Sequence, residues 1–139
     1  MFEFIRRIFR KKSKNAILGK NAEKYARKFL NKNTSYKILT TNYKYKNYEA
    51  DIVCFDKSNN ALVIVEVKAR NENALVDGYI CAMQKSKIHS VIACKNRYQS
   101  SIKHNFDSFR YDIIDIAHDK NGKIVACRYF ENVFPKHRY

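Results

Sequence analysis

Two stretches of the sequence carry acids in strongly apolar company. "ALVIVEVKAR", Ala61 to Arg70, is apolar and rich in β-branched residues up to Val67 except for Glu66, and Lys68 follows two residues later. "YEADIV", Tyr48 to Val53, holds Glu49 and Asp51. A charge in a strand covered on both faces needs a partner or a task, because stripping it of water is costly. Two carboxylates brought together repel each other and raise one pKa unless something positive sits between them. A hard divalent ion, Mg²⁺ or Mn²⁺, suits such a pair: it takes oxygen ligands from one or two carboxylates and keeps waters that a phosphate can displace. Lys68 beside it would orient or help deprotonate an attacking water and counter charge developing on the phosphate. Asp51, Glu66 and Lys68 together point to metal-dependent phosphodiester hydrolysis.

That chemistry needs a hairpin to assemble it. Residues alternate faces along a strand, so Glu66 and Lys68 share one face, as do Glu49 and Asp51 on the strand before. The polar "KSNN", Lys57 to Asn60, reads as a four-residue hairpin loop. The resulting register sets Asp51 opposite Glu66 and Glu49 opposite Lys68, with facing Cβ atoms ~5 Å apart. The competing reading of the same residues is a pair of cross-strand ion pairs closing a strand, which adds little stability.

Around this hairpin the sequence predicts further elements. Leu18, Ala22, Tyr25, Ala26, Phe29 and Leu30 fit one face of a helix, with Glu23 beside that face. "SYKILTTNYKY" reads as a strand before the hairpin, residues 82–98 as a second long helix, and "FRYDIIDIAHD" and "KIVACRYFENV" as two strands joined by the turn "KNG". The expected fold is one α/β domain, a central mixed sheet flanked by helices, in the order α-β-β-β-α-β-β over residues 15–139. Residues 1–14, "MFEFIRRIFRKKSK", stand apart as a basic amphipathic segment, with apolar Phe2, Ile5, Ile8 and Phe9 at helical spacing.

The 28 Lys and Arg against 13 Asp and Glu give a net charge of +15, the electrostatic footprint of a nucleic-acid binder. An anionic membrane surface would attract the same charge. No run approaches the ~18 apolar residues of a membrane span and no secretory segment is evident, so the expectation is a cytoplasmic protein with no integral membrane segment. Cys54, Cys81, Cys94 and Cys127 are widely spaced, with no metal-binding pattern, and read as reduced, mostly buried small hydrophobes. In "NYKYKNY", Asn42 to Tyr48, lysines interleave with tyrosines. Lys44, Lys46 and Tyr48 are therefore candidates for phosphate contact and base stacking, as is Arg70 beyond the acidic strand, although tyrosines also favour strands for packing alone.

Five stretches in order, "GKNAEKYA" (Gly19 to Ala26), "YEADIV", "VIVEVKAR" (Val63 to Arg70), "QKSKI" (Gln84 to Ile88) and "FRYDII" (Phe109 to Ile114), give a resemblance. The chain from Leu18 to about Ile116 resembles the YraN-like family, a bacterial branch of the restriction-endonuclease-like PD-(D/E)xK superfamily. The resemblance implies Asp51 and Glu66 as metal ligands, the Val67 main-chain carbonyl as a third, and Lys68 as the catalytic lysine. It further implies Glu23 as a helix acid looking toward the metal, Glu49 as an auxiliary acid, and Gln84 or Lys85 as a helix group near the site. DNA becomes the favoured substrate, and a homodimer is compatible with cutting two strands. Asp112 reads as a structural partner, well separated from the acidic core.

Two other functions remain open on the sequence. One is a nucleic-acid-binding module on the same fold that does not cut. The other is a basic scaffold recruiting a protein or membrane partner through residues 1–14.

Overall fold

The computed structural model describes residues 2–74 and 78–134, with side chains from Lys14 onward and excepting that of Tyr79. Helix α1 (Phe2–Asn33) is followed by strands β1 (Lys37–Tyr45), β2 (Tyr48–Asp56) and β3 (Ala61–Asn71), helices α2 (Gly78–Ala82) and α3 (Lys85–Ser101), then strands β4 (Ser108–His118) and β5 (Ile124–Phe130). The five strands form one mixed sheet in sequence order, antiparallel except for the parallel pair β3–β4. The α/β class and mixed sheet agree with the sequence reading. The basic segment and the first expected helix are continuous in α1, while the amphipathic face expected of residues 1–13 lies outside the described side chains.

Each face of the sheet buries its own core. On one, Ala22, Ala26 and Leu30 of α1 pack on Ile52, Cys54, Val63, Val65, Ile114 and Ile116. The small alanines at four-residue spacing let the helix lie close against the strands. On the other, Val91 and Cys94 of α3 and Ala82 of α2 cover Val53, Leu62, Ile64, Tyr111 and Ile113. Strand β3, buried from Ala61 to Glu66, is the near-continuous apolar run of a central strand covered on both faces.

The β2–β3 hairpin has the expected register from Asp56↔Ala61 to Ile52↔Val65, with residues 57–60 as its turn. Beyond Ile52 the pairing departs from expectation. Ala50 and Val53, three residues apart, both belong to the α3-side core, so the strict alternation of β2 slips at Asp51. Facing it, β1 breaks its own regularity: Asn42 takes a left-handed conformation at φ 50, which Asn tolerates better than most residues. Glu49 therefore pairs with Lys44 on β1, not with Lys68.

Candidate active site

Where the β2–β3 ladder stops, Asp51 substitutes for it. Its Oδ2 accepts the Val67 amide hydrogen at 2.8 Å, so a side-chain carboxylate fills the place of a main-chain carbonyl. This draws Asp51 to the start of the Glu66–Lys68 segment without the direct opposition that unbroken alternation would give.

Glu66 is 2% exposed. Its Oε1 meets Lys87 Nζ at 2.8 Å and Lys68 Nζ at 3.2 Å, whereas Oε2 is buried with no hydrogen-bond partner among the described residues. Burial first, then the nearby Asp51 charge, pushes the Glu66 carboxyl up from its usual value to about 7, against the pull of Lys87 and Lys68. Tyr111, fully buried beneath, donates its hydroxyl to the Ala82 carbonyl at 3.0 Å, and its pKa is raised by burial and by Glu66 and Asp51. Half-buried Glu23 of α1 is raised by burial and then by Asp51 and Glu49, with Asn42 and Arg27 opposing. Asp51 therefore lies in the electrostatic field of both Glu66 and Glu23.

Lys87 is the site residue that the sequence reading missed. Gln84 immediately precedes α3 and Lys85 opens it; both are exposed, whereas Lys87 reaches Glu66 and also donates to the Glu49 carbonyl at 3.5 Å. The available signal was helical phase: Lys87 lies four residues before buried Val91, on the inward face of α3. Ser90, on the same helix, lies 3.4 Å from the Glu49 amide, so α3 grips β2 where its alternation slips.

The other candidates are distributed around this centre. Arg70, on the same strand face as Glu66 and Lys68, lies 3.4 Å from buried Asp115, which Arg128 also engages. Gly78 packs there so closely that a Cβ would run into Asp115 Oδ1 and lie 2.7 Å from Lys68 Cβ. Lys44 and Lys46 are exposed at the β1–β2 turn, and Lys46 lies 5.4 Å from the Tyr45 ring. Tyr48 packs edge-on against His89 of α3, and Tyr43 does the same against Tyr98, so these tyrosines serve packing. The four cysteines are free, and burial pushes the Cys54 thiol up to about 12.

Residues 22–116, which span every acid and lysine of the site, match the family described as uncharacterised protein family UPF0102. The chain belongs to UPF0102. A UPF0102 protein of Dictyoglomus thermophilum is 33% identical over 122 residues, covering 86% of this chain and 98% of that protein. One from Flavobacterium johnsoniae is 35% identical over 120 residues, covering 84% and 93%. One from Clostridium beijerinckii is 35% identical over 105 residues, covering 73% and 80%. No helix among the described residues is long and apolar enough to cross a membrane.

Among the described residues, no three His, Cys, Asp or Glu side chains converge as a ready metal cage. A hard divalent ion that takes one or two carboxylates and keeps several waters does not require one. The donor set suits such an ion: two neighbouring carboxylates, one with a buried oxygen that no described residue satisfies.

Proposed function

We propose that this UPF0102 protein is a metal-dependent nuclease of the restriction-endonuclease-like PD-(D/E)xK type, hydrolysing phosphodiester bonds in DNA. The observation that carries the reading is the incomplete state of Glu66: a buried carboxylate beside Asp51, with two lysines on one oxygen and none on the other. Buried polar groups are nearly always satisfied, so an orphan oxygen beside a second acid calls for a further partner, and a bound cation is one that also offsets the Asp51 charge. The five motifs in order, the mixed sheet and the net charge of +15 support the same reading.

In this reading Asp51 and Glu66 hold Mg²⁺ or Mn²⁺, with the Val67 carbonyl as a further ligand and Glu23 as support from α1. The ion supplies polarisation of a phosphoryl oxygen and a lowered pKa for bound water. Lys68, whose side chain is 31% exposed, keeps donors for water or phosphate besides the one it turns to Glu66. Lys87, more enclosed and closer, fixes the Glu66 carboxylate and ties it to the β2 backbone.

One observation favours a second reading, a nucleic-acid-binding module that does not cut. Two lysines on Glu66 already balance much of its charge, as they would in a purely structural cluster. The deciding experiment is cleavage of labelled single-stranded, duplex, flapped and four-way DNA with Mg²⁺, Mn²⁺ or EDTA, beside folded Glu66→Gln and Lys68→Ala variants. Metal-dependent cutting lost in both variants is expected. No cutting of any substrate, with wild type and variants binding DNA alike, would overturn the nuclease reading in favour of the module.

A further inference from the structure

The shoulder of α1 carries Lys20, Lys24 and Arg27, spaced four and three residues apart and therefore aligned in one stripe. Like charges at this spacing repel, and Glu23, three residues from Lys20 and four from Arg27, is the single acid set against them on this stretch. Packing is the work of another face, where Ala22, Ala26 and Leu30 are buried on the sheet. Lys20 and Lys24 are exposed and Arg27 is half-buried.

These three side chains, with Asn21, Glu23 and Asn42, line an open pocket of about 480 Å³. Three cations face a single carboxylate there, leaving the pocket strongly positive. That carboxylate is Glu23, and Asn42 in the same lining lies on β1 across from Asp51 of β2, so the pocket borders the acidic centre. The chemistry of the lining is specific in another way: among the described residues it holds no aromatic side chain on which a base could stack. Cations without aromatics contact the sugar-phosphate backbone and carry no sequence information.

We infer that the α1 face bearing Lys20, Lys24 and Arg27 is a phosphate track that holds one strand of a nucleic acid by its backbone and leads it to Asp51. The inference rests on the nucleic-acid reading above and adds the path of the strand. The pocket meets the sheet at Asn42, which stands across from Asp51 between the pairs Thr41↔Ile52 and Tyr43↔Ala50, so a strand lying along α1 would bring its phosphates past Glu23 to the point where β2 and β3 part. On the far face of the sheet, Tyr43, Tyr45 and Tyr48 are engaged in packing beneath α3.

The test is binding of a mixed-sequence single-stranded oligonucleotide in EDTA as a function of salt. It compares wild type, Lys20→Ala/Lys24→Ala/Arg27→Ala, and a control of equal charge loss, Lys103→Ala/Lys120→Ala/Lys123→Ala. Each phosphate contact contributes ~0.7 to the slope of log affinity against log salt, so the α1 variant should lose about 2 from that slope, and the control much less. The loss should be the same for unrelated sequences. Lys20→Glu/Lys24→Glu, which leaves the half-buried Arg27 in place, keeps the question open to test if the triple variant is poorly folded. Equal slopes for the α1 variant and wild type would overturn the track, even if wild type cuts DNA. A reduced slope in a protein that cuts nothing would sustain the track while the nuclease reading falls. Impaired binding to phosphatidylserine vesicles with unchanged DNA binding would also overturn it, in favour of a membrane surface.

Discussion

Asp112 and Glu66 are both buried acids on adjacent central strands, yet their surroundings differ. On the α1 side of β4, Asp112 accepts Arg110 Nε and the Asn132 amide on Oδ1, each at 2.9 Å, and Arg110 Nη2 at 2.8 Å and the Tyr129 hydroxyl on Oδ2. Arg110 in turn reaches Asp56 at 3.3 Å and lies 5.0 Å from the Tyr36 ring. On the opposite side of the sheet, Glu66 has both its cations on one oxygen and an orphan on the other. A saturated network locks strands together, while an unsaturated one keeps coordination capacity for something that arrives later. The comparison separates two acids that look alike in sequence: each is a carboxylate in an apolar strand, and they differ in their donors and in the second acid, Asp51, that Glu66 has nearby.

The sharpest way to break this comparison is to neutralise each acid. Glu66→Gln should lower DNA cleavage by about 10³-fold, within the range for loss of a group that manages charge at a reaction centre, while leaving the fold at least as stable. Single-turnover cleavage and thermal melting read the two effects, and a variant that melts much earlier would make Glu66 a scaffold acid. Asp112→Ala should do the reverse. It strands Arg110 beside the remaining partner Asp56 and should cost about 3–5 kcal/mol in urea unfolding, with cutting per folded molecule retained.

A third test uses pH. The folded-state pKa of Glu66, about 7, lies above its usual value of 4.5, so between these values the folded protein binds more protons than the unfolded chain. Stability should therefore fall as pH rises from about 4.5 to about 7, by up to about 3 kcal/mol in EDTA. Glu66→Gln should flatten that slope, and added Mg²⁺ should recover stability at the upper end; an unchanged slope in the variant would place the pH dependence elsewhere. The smallest contrast lies within α3. Lys87→Met should reduce cleavage about 10–100-fold, as loss of a group that orients a ligand does, whereas exposed Lys85→Ala should change stability by no more than about 0.5 kcal/mol and leave cutting intact.

Much of this arrangement is legible from the sequence where local rules govern it. The KSNN loop fixes the hairpin register because a four-residue connection leaves little freedom, and the pairs from Ile52↔Val65 to Asp56↔Ala61 follow from it. The α1 core residues follow from helical period. What escapes is whatever depends on departures from period. The slip at Asp51 is carried by Asn42 on a neighbouring strand and by a hydrogen bond to Val67, neither of which leaves a periodic trace. Helix α2 has five residues, too few to show a period, and its place against β3 and β4 depends on Gly78 meeting Lys68 and Asp115. That Lys87, and not Gln84 or Lys85, meets Glu66 depends on where α3 begins, and Gln84, which precedes it, makes no side-chain cap to announce the start.

The hydrogen bond from Val67 to Asp51 has a spectroscopic consequence. Most strand amides in this sheet are protected from solvent exchange by neutral carbonyls, but the Val67 amide is held by a carboxylate. Its nuclear resonance and its deuterium uptake are therefore wired to whatever charge Asp51 carries or shares. One backbone nitrogen thus serves as a built-in reporter for this centre, readable in the intact protein without touching a site side chain.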